Sequence, residues 1–518
     1  MTFSKLRLHI ALLASCCLIP SALATDFYVN APAGDDAWTG LCPEWDGDSC
    51  GPKATIQAAL NLATSNDVIH VAPGRYVENV YYASKNVAIR AENPSVWLAD
   101  PLDETQASII DGSQPTDPDY GCAVRFYGTE SPACELDGFT VTGGTGLMGS
   151  SGFTEGGGIF GGDAGTVWIW TRATISNCVI TRNTARFGGG LTQCGGLIQN
   201  CDIVDNWTAD PGGSNHNGGG LSACNGTIID CNISGNESYG GGGLYSCLGD
   251  IVNCQITDNT ASWSGGAMMW CDDCTVTNCN ISDNVACTSG YGAGGAVFSQ
   301  RATYVNCTFA NNVGQSGGAI YAWQANAPTM YNCIIWGNVA NDGQGHQIKL
   351  NTTTTPCTLT VAYSDLEGGA AGVYLANSYC TVAWGAGMLT TDPLFADEAA
   401  GDYSLAPDSP CVDAADNNAV PDGIDEDLTR RLRFADRPAT PDTGAGDAPI
   451  VDMGPFEYQC DGDLNGDGGV TLSDLAQLLS NYGLTAVAGY ADGDLNGDGN
   501  VNLSDLAALL SLYGAICP

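Results

Sequence analysis

One phrase, Cys-x-apolar-x-x-Asn, is written seven times through the middle of this 518-residue chain, and a sequence that restates itself so regularly has few folds open to it. The copies are Cys178, Ile180, Asn183; Cys201, Ile203, Asn206; Cys231, Ile233, Asn236; Cys254, Ile256, Asn259; Cys279, Ile281, Asn284; Cys307, Phe309, Asn312; and Cys333, Ile335, Asn338. They follow one another at 23, 30, 23, 25, 28 and 26 residues. Between them stand glycine phrases closed by apolar residues, such as Gly189-Gly190-Leu191 and Gly317-Gly318-Ala319-Ile320. No segment between these marks has a helical period, whereas runs such as Ala173 to Ile180 alternate with the strand period of two. A coil of about 25 residues made of short strands and Gly or Asn turns predicts one rung of a parallel β-helix, stacked about 4.8 Å from the next. The fold class is therefore all-β, a solenoid in which Asn at a fixed position stacks its amides and Gly supplies the positive φ of a bend.

Flanking phrases extend the pattern. Ala54-Thr55-Ile56-Gln57-Ala58-Ala59-Leu60 and Asp67-Val68-Ile69-His70-Val71 look like a capping helix and a first rung, and Leu136-Asp137-Gly138-Phe139-Thr140-Val141 like a further one. From about Asp26 to Tyr458 the chain resembles a right-handed parallel β-helix of the pectin-lyase-like superfamily. That resemblance implies an N-terminal strand and capping helix over 25–65 and the β-helix over 66–458, with Asp392-Pro393-Leu394-Phe395, Asp402-Tyr403-Ser404-Leu405 and Asp452-Met453-Gly454-Pro455-Phe456-Glu457 as closing turns. About 15 rungs give a rod of roughly 70 Å. The wording of rungs 265–320 is also similar to the repeats of polymorphic outer-membrane adhesins. That family carries a C-terminal membrane barrel, whereas this chain ends in calcium-type loops, so only adhesion itself stays open.

The last 58 residues hold those loops, written twice. Asp463, Asn465, Asp467, Gly468, Thr471 and Asp474 are followed 31 residues later by Asp494, Asn496, Asp498, Gly499, Asn502 and Asp505. A hard dication needs six to eight oxygens around a tight bend, which these side chains supply at loop positions 1, 3, 5, 9 and 12 around a turn glycine. Each loop runs into an amphipathic segment, Leu472 to Tyr482 and Leu503 to Tyr513, with Leu475, Leu478, Leu479 and Leu506, Leu509, Leu510 at helical spacing. One loop, one helix and a closing Asp per copy make 461–518 similar to the dockerin module of secreted carbohydrate-active proteins. The resemblance implies two Ca2+ ions and docking onto a cohesin-like protein or a cell-surface receptor, with Leu472, Ser473, Leu503 and Ser504 at the partner-reading positions. A calcium module that merely caps or anchors the chain is the alternative.

At the other end, Lys5 and Arg7 precede the apolar run Leu8 to Leu18, and Ala22-Leu23-Ala24 offers a cleavage site, so 1–24 reads as a signal peptide of an exported protein. No later stretch has the roughly 20 consecutive apolar residues of a membrane span. The formal charge is −41, and −43 once Lys5 and Arg7 are removed, which disfavours nucleic acid and anionic membranes. It also argues against polyanionic sugars unless calcium bridges them.

Of the 24 cysteines, two lie in the leader. Cys178, Cys201, Cys231, Cys254, Cys279, Cys307 and Cys333 occupy one column, and Cys194, Cys224, Cys247 and Cys271 a second, where a small apolar side chain facing the interior is reason enough for each. Stacked thiols are expected there in preference to bridges between rungs. Cys42 with Cys50, Cys122 with Cys134, Cys357 with Cys380 and Cys460 with Cys517 are the expected disulfides. Cys271-Asp-Asp-Cys274 has metal-ligand spacing, but Cys271 already belongs to a column and no His lies nearby.

No catalytic constellation is written in the chain. On this fold, lyases use Arg or Lys with Asp-held calcium, and hydrolases use paired carboxylates. The basic candidates are Arg125, Arg172, Arg182, Arg186, Arg301 and Lys349; Asp205, Asp258 and Asp283, each before a ladder Asn, form a candidate acidic row. Trp207, Trp263, Trp270, Trp323 and Trp336 recur along the repeats, where rings stack on sugars or pack the coil; His216 and His346 read as isolated surface residues, and Asp422, Asp425 and Asp427 as a weak further ion site. Two functions stand: a secreted protein that interacts with extracellular polysaccharide and, if an enzyme, is a lyase or glycoside hydrolase; or a non-catalytic adhesin or structural rod.

Overall fold

The computed structural model describes residues 24–149, 152–162, 170–209, 216–287, 292–299, 301–324, 327–435, 437, 440–485, 489–496 and 499–515. Residues 1–23 of the leader and Asp498 lie outside the described residues, as does Cys517. Among the described residues three long parallel sheets run the length of a rod: a 13-stranded one from Asp26–Val29 to Cys380–Trp384, and two of 11 strands from Gly74–Tyr76 to Asp365–Leu366 and from Val80–Tyr81 to Val373–Leu375. A fourth sheet of seven short strands fills one corner. Thirteen strands at about 4.8 Å make a rod of about 58 Å.

Register follows the repeat. Ile180, Ile203, Ile233, Ile256, Ile281, Phe309 and Ile335 are successive partners in one sheet, fully buried. Leu191, Leu221, Leu244, Met268, Val297, Ile320 and Ile348 are partners in another. Because a strand inverts its side chains with every residue, a one-residue slip moves each of these columns out of the core, so the apolar pattern fixes the stacking.

The corners carry the polar columns. Asn183 donates from Nδ2 to Asn206 Oδ1 at 3.1 Å, Asn206 to Asn236 at 3.2 Å, and the chain continues through Asn259, Asn284 and Asn312 to Asn338. Every one of these amides is buried. A second ladder runs along the other corner, one residue before each column cysteine: Asn177, Asn200, Asp230, Asn253, Asn278, Asn306 and Asn332 all have φ between 49° and 56°. Asn and Asp are the non-glycine residues that reach this left-handed conformation at least cost. Their side chains also bond between rungs, Asn200 to Asn177 at 2.7 Å and Asn332 to Asn306 at 2.9 Å.

The column thiols are buried and donate to the carbonyl two residues back, Cys178 to Ser176 O at 3.1 Å and Cys254 to Val252 O at 3.2 Å. Burial pushes the Cys254 and Cys224 thiols far above their ordinary range, which keeps them as unreactive thiols. Cys42 and Cys50 form a disulfide with Cα atoms 5.5 Å apart, and Cys460 is disulfide-bonded. Two expected bridges are absent. Cys122 packs with Leu147 and Phe160 in a separate cluster while Cys134 faces the main core. Cys357 and Cys380 are in-register neighbours on parallel strands, whose spacing exceeds the Cβ separation of a disulfide, and Cys380 donates to Leu350 O at 3.3 Å instead.

The N-terminal end is closed by α1 (Ile56–Leu62), capped by Thr55 and burying Ile56 and Leu60. The C-terminal end behaves differently from the closing turns expected over 392–457. After a hairpin of Phe395–Asp397 and Asp402–Leu405, the segment folds back along the rod, burying Leu405, Val412 and Met453 against Ile334 and Phe456 with Tyr403 against Ala310. Tyr403 donates to Asp283 Oδ2 at 2.8 Å, Asp416 N donates to Asn332 Oδ1 at 2.8 Å, and Arg430 pairs with Asp230 at 3.4 Å. Arg433, fully buried, ties this return segment together by donating to Asp452 O at 2.6 Å and Gly454 O at 2.8 Å.

Candidate metal centre

Beyond the return segment the two loops fold alike. In the first, Asp463 Oδ1 accepts from Asp467 N at 3.1 Å and its Oδ2 from Gly468 N at 2.9 Å, which bends the loop around the carboxylate. Asp474 accepts from Leu464 N at 2.8 Å on one oxygen and from Thr471 N at 2.7 Å on the other. In the second, Asp494 Oδ2 accepts from Gly499 N at 2.7 Å, while Asp505 accepts from Leu495 N at 3.0 Å and Asn502 N at 2.9 Å. Thr471 and Asn502 cap the helices α2 (Leu472–Ser480) and α3 (Leu503–Leu512), each in a capping box closed by the loop's final Asp. Gly468 and Gly499 sit at φ 89° and 76°, where a side chain is strained.

One carboxylate oxygen from each of Asp463, Asp467 and Asp474 lies within 4.8 Å of the others, and Asp463 and Asp474 are 2% and 0% exposed. Burial pushes the Asp463 carboxyl up, and the charges of Asp474 and Asp467 add to it. Two buried carboxylates crowded by a third, the exposed Asp467, fit a dication with oxygen ligands. Asn465 Oδ1 accepts from Asp467 N at 3.0 Å and the Thr471 hydroxyl meets Asp474 Oδ2 at 3.1 Å, so both stand at the rim of the same loop. In the second loop Asp494 and Asp505 repeat the burial, at 4% and 0%.

The module's own core is small: Leu464, Val470, Leu478, Val501 and Leu509. Leu479 and Leu510, expected on the inward face, stand 51% and 52% exposed. Leu472 and Leu503 at 67% and 68%, with Tyr482 and Tyr513 at 49% and 50%, complete a matched pair of apolar surfaces. The module meets the return segment through Arg431, which pairs with Asp461 at 3.0 Å and lies 4.3 Å above the Tyr490 ring.

The other candidates of the sequence are mostly engaged. Arg186 stacks on Phe153 at 3.5 Å, Arg125 on Tyr81 at 4.8 Å, and Arg301 pairs with Asp273 at 2.6 Å; Arg172 and Arg182 are exposed. Lys349 is buried, bonded to Ser316 Oγ at 2.9 Å and Gln344 Oε1 at 2.7 Å, and its burial lowers the amine's pKa. Asp205, Asp258 and Asp283 do line up in one left-handed corner column, with φ of 54°, 56° and 58°, though Asp283 is held by Tyr403. Trp263 stacks on Tyr239 at 5.5 Å, and Phe298, Tyr321 and Trp323 continue that stack, so these ring faces are largely spent on one another. His216 is no isolated residue: it bonds Thr208 Oγ1 at 3.0 Å and packs on Tyr239. His346 Nδ1 accepts from Ala340 N at 3.3 Å. Asp427 is buried and accepts from Thr429 N, Arg431 N and Glu457 N, making a turn apart from the exposed Asp422 and Asp425.

Residues 158–325 and 213–360 match the family model described as "Right handed beta helix region". The rod is thus a right-handed parallel β-helix. No curated protein matches the chain. Among solved structures, a pectate lyase, Pel9A, is similar at 11% identity over 84% of this chain and 97% of its own, with a TM-score of 0.37. A rhamnogalacturonan lyase is similar at 14% identity over 72% and 91%, TM-score 0.36, and a GH136 lacto-N-biosidase from Eubacterium ramulus at 11% over 71% and 68%, TM-score 0.29. Identity and TM-score are low throughout. Among the described residues no helix is long and apolar enough to cross a membrane.

Proposed function

We propose that this chain is an exported β-helix protein that engages extracellular polysaccharide along its rod and is held on a partner by a dockerin-like module closed by two Ca2+ ions. The paired loops carry the reading. Asp463, Asn465, Asp467, Thr471 and Asp474 would hold one ion and Asp494, Asn496, Asp498, Asn502 and Asp505 the other, each ion supplying the charge that lets buried carboxylates stay ionised. The matched surface of Leu472, Leu479 and Tyr482 with Leu503, Leu510 and Tyr513 supports a cohesin-like protein or cell-surface receptor as partner, because exposed apolar groups in a repeated arrangement suit a protein interface. On the outside of the corner, the exposed carboxylates of Asp205 and Asp258, at equivalent rung positions, suit the hydroxyls of an extended chain.

A second reading, a non-catalytic adhesin or structural rod, is favoured by the engagement of Arg125, Arg186, Arg301 and Lys349, which leaves those cations committed within the fold. Affinity electrophoresis through pectic, alginate, sulfated and neutral polysaccharides in calcium, followed by assays for unsaturated ends and reducing sugar, tests both. Retardation by at least one polysaccharide is expected. Product release selects the enzyme, retardation without product selects the binding rod, and free migration through every gel defeats the polysaccharide reading.

A further inference from the structure

Where the return segment and the calcium module fold back on the rod, they enclose a trough of about 2090 Å³. Its floor is the outer face of the 13-stranded sheet and the adjoining corner: Glu135, Thr174, Ser176 and Gln199, with Asn177 and Asn200 beside them. Tyr458 and Tyr490 stand in the wall the return segment and module provide, and Trp97 in the wall contributed by the rod. A smaller hollow of about 250 Å³ shares Trp97 and continues along the same corner to Asp230, Asn232, Asn253 and Gln255. Together the floors cover six successive rungs, from Arg90 to Asn253, or about 24 Å along the rod axis.

The chemistry of this trough selects its ligand. Each arginine that lines it is matched to a carboxylate: Arg90 to Glu135 at 2.6 Å, Arg430 to Asp230 at 3.4 Å and Arg431 to Asp461 at 3.0 Å. Asp137, Asp402 and Asp494 add further negative charge. A uronate or sulfated chain therefore meets repulsion here, while amide, hydroxyl and carboxylate oxygens suit a chain of sugar hydroxyls. Trp97 ends a short 3-10 turn, Ser95–Trp97, anchored by Ser95 N and Oγ on Gly138 O at 2.9 Å each. It is 42% exposed and makes no ring stack among the described residues, unlike Trp263 and Trp323. A half-exposed indole at the junction of the two hollows is placed to stack on the C–H side of a sugar ring.

We propose that this trough is the glycan-binding site, that its ligand is an uncharged, hydroxyl-rich polysaccharide laid along the rod axis, and that Trp97 stacks on one of its rings. The proposal rests on the polysaccharide reading above and adds place and class to it. The test is calorimetric titration of the full chain in calcium with cellohexaose, xylohexaose, mannohexaose and hexagalacturonate, repeated with Trp97→Ala, Trp97→Phe and, at the far end of the rod, Trp384→Ala. At least one neutral hexaose is expected to bind, with affinity falling about tenfold in Trp97→Ala and largely kept in Trp97→Phe and Trp384→Ala. Equal affinity of wild type and Trp97→Ala for a neutral hexaose overturns the site while the polysaccharide reading stands. Preference for hexagalacturonate overturns the class. Absence of binding by any oligosaccharide, together with free migration in every gel, removes both the proposal and the reading beneath it.

Discussion

Chelation of calcium is expected to melt residues 461–514 and leave the rod standing. The module buries only five apolar side chains fully, too few to hold two helices and two loops together unaided. Its loops also gather Asp463, Asp467 and Asp474 within 4.8 Å, so without a cation their mutual repulsion is added to the desolvation of the buried pair. Two ions at about a hundred times their dissociation constants add about 5 kcal/mol to the folded module. The rod draws on its own continuous core from Phe27 to Cys380. Scanning calorimetry of the full chain should therefore show a transition that disappears in EGTA beside one that does not move. Far-UV dichroism should lose the signal of α2 and α3, which at 9 and 10 residues outweigh the 7 of α1. Superimposable traces with and without chelator contradict the metal dependence.

Replacing Asn259 by Leu is expected to be the most damaging single change in the rod. The Asn259 amide donates to Ile233 O at 2.8 Å and to Asn284 Oδ1 at 3.0 Å, while its Oδ1 accepts from Asn236 N at 3.1 Å and Asn236 Nδ2 at 3.0 Å. Leu has similar bulk but leaves a carbonyl and an amide N–H buried without partners, and each such orphan costs about 1–3 kcal/mol. The sum is about 4 kcal/mol, with the loss falling in the middle of the stack, where both neighbouring rungs depend on the corner. Cys254→Ala, one column away, removes a thiol and a weak bond and should cost only about 1 kcal/mol. Urea denaturation followed by tryptophan fluorescence compares the two; an Asn259→Leu loss no larger than that of Cys254→Ala means the ladder contributes little.

The rod was legible because rungs stack at a fixed strand spacing whatever the length of their loops, so any residue that recurs at one point of the coil must stack on its copies. Ile180 to Ile335 and Asn183 to Asn338 could be placed from spacing alone. The second polar ladder was written just as plainly, as Asn or Asp before every column cysteine, but alternation had already assigned that stretch to the cysteines. The return segment was not legible, since a chain that packs on the outside of a solenoid has no period to display, and Asp402-Tyr403 reads like any turn until Tyr403 is seen on Asp283. Trp97 was missed for the same reason, lying in a loop between rungs with no repeated counterpart. In the module, helical spacing put Leu479 and Leu510 inside, but the core shared by the two short helices takes Leu478 and Leu509 fully and Leu475 and Leu506 in part, leaving Leu479 and Leu510 outside.

Calcium binding by the metal-stripped full chain, counted by isothermal titration, decides whether the paired loops are ion sites. Two ions per chain are expected, falling to one in Asp474→Ala or Asp505→Ala, since each of these carboxylates closes its own loop. A chain that takes up no calcium, or one that still takes up two ions after either carboxylate is removed, means that the two loops are not the calcium sites.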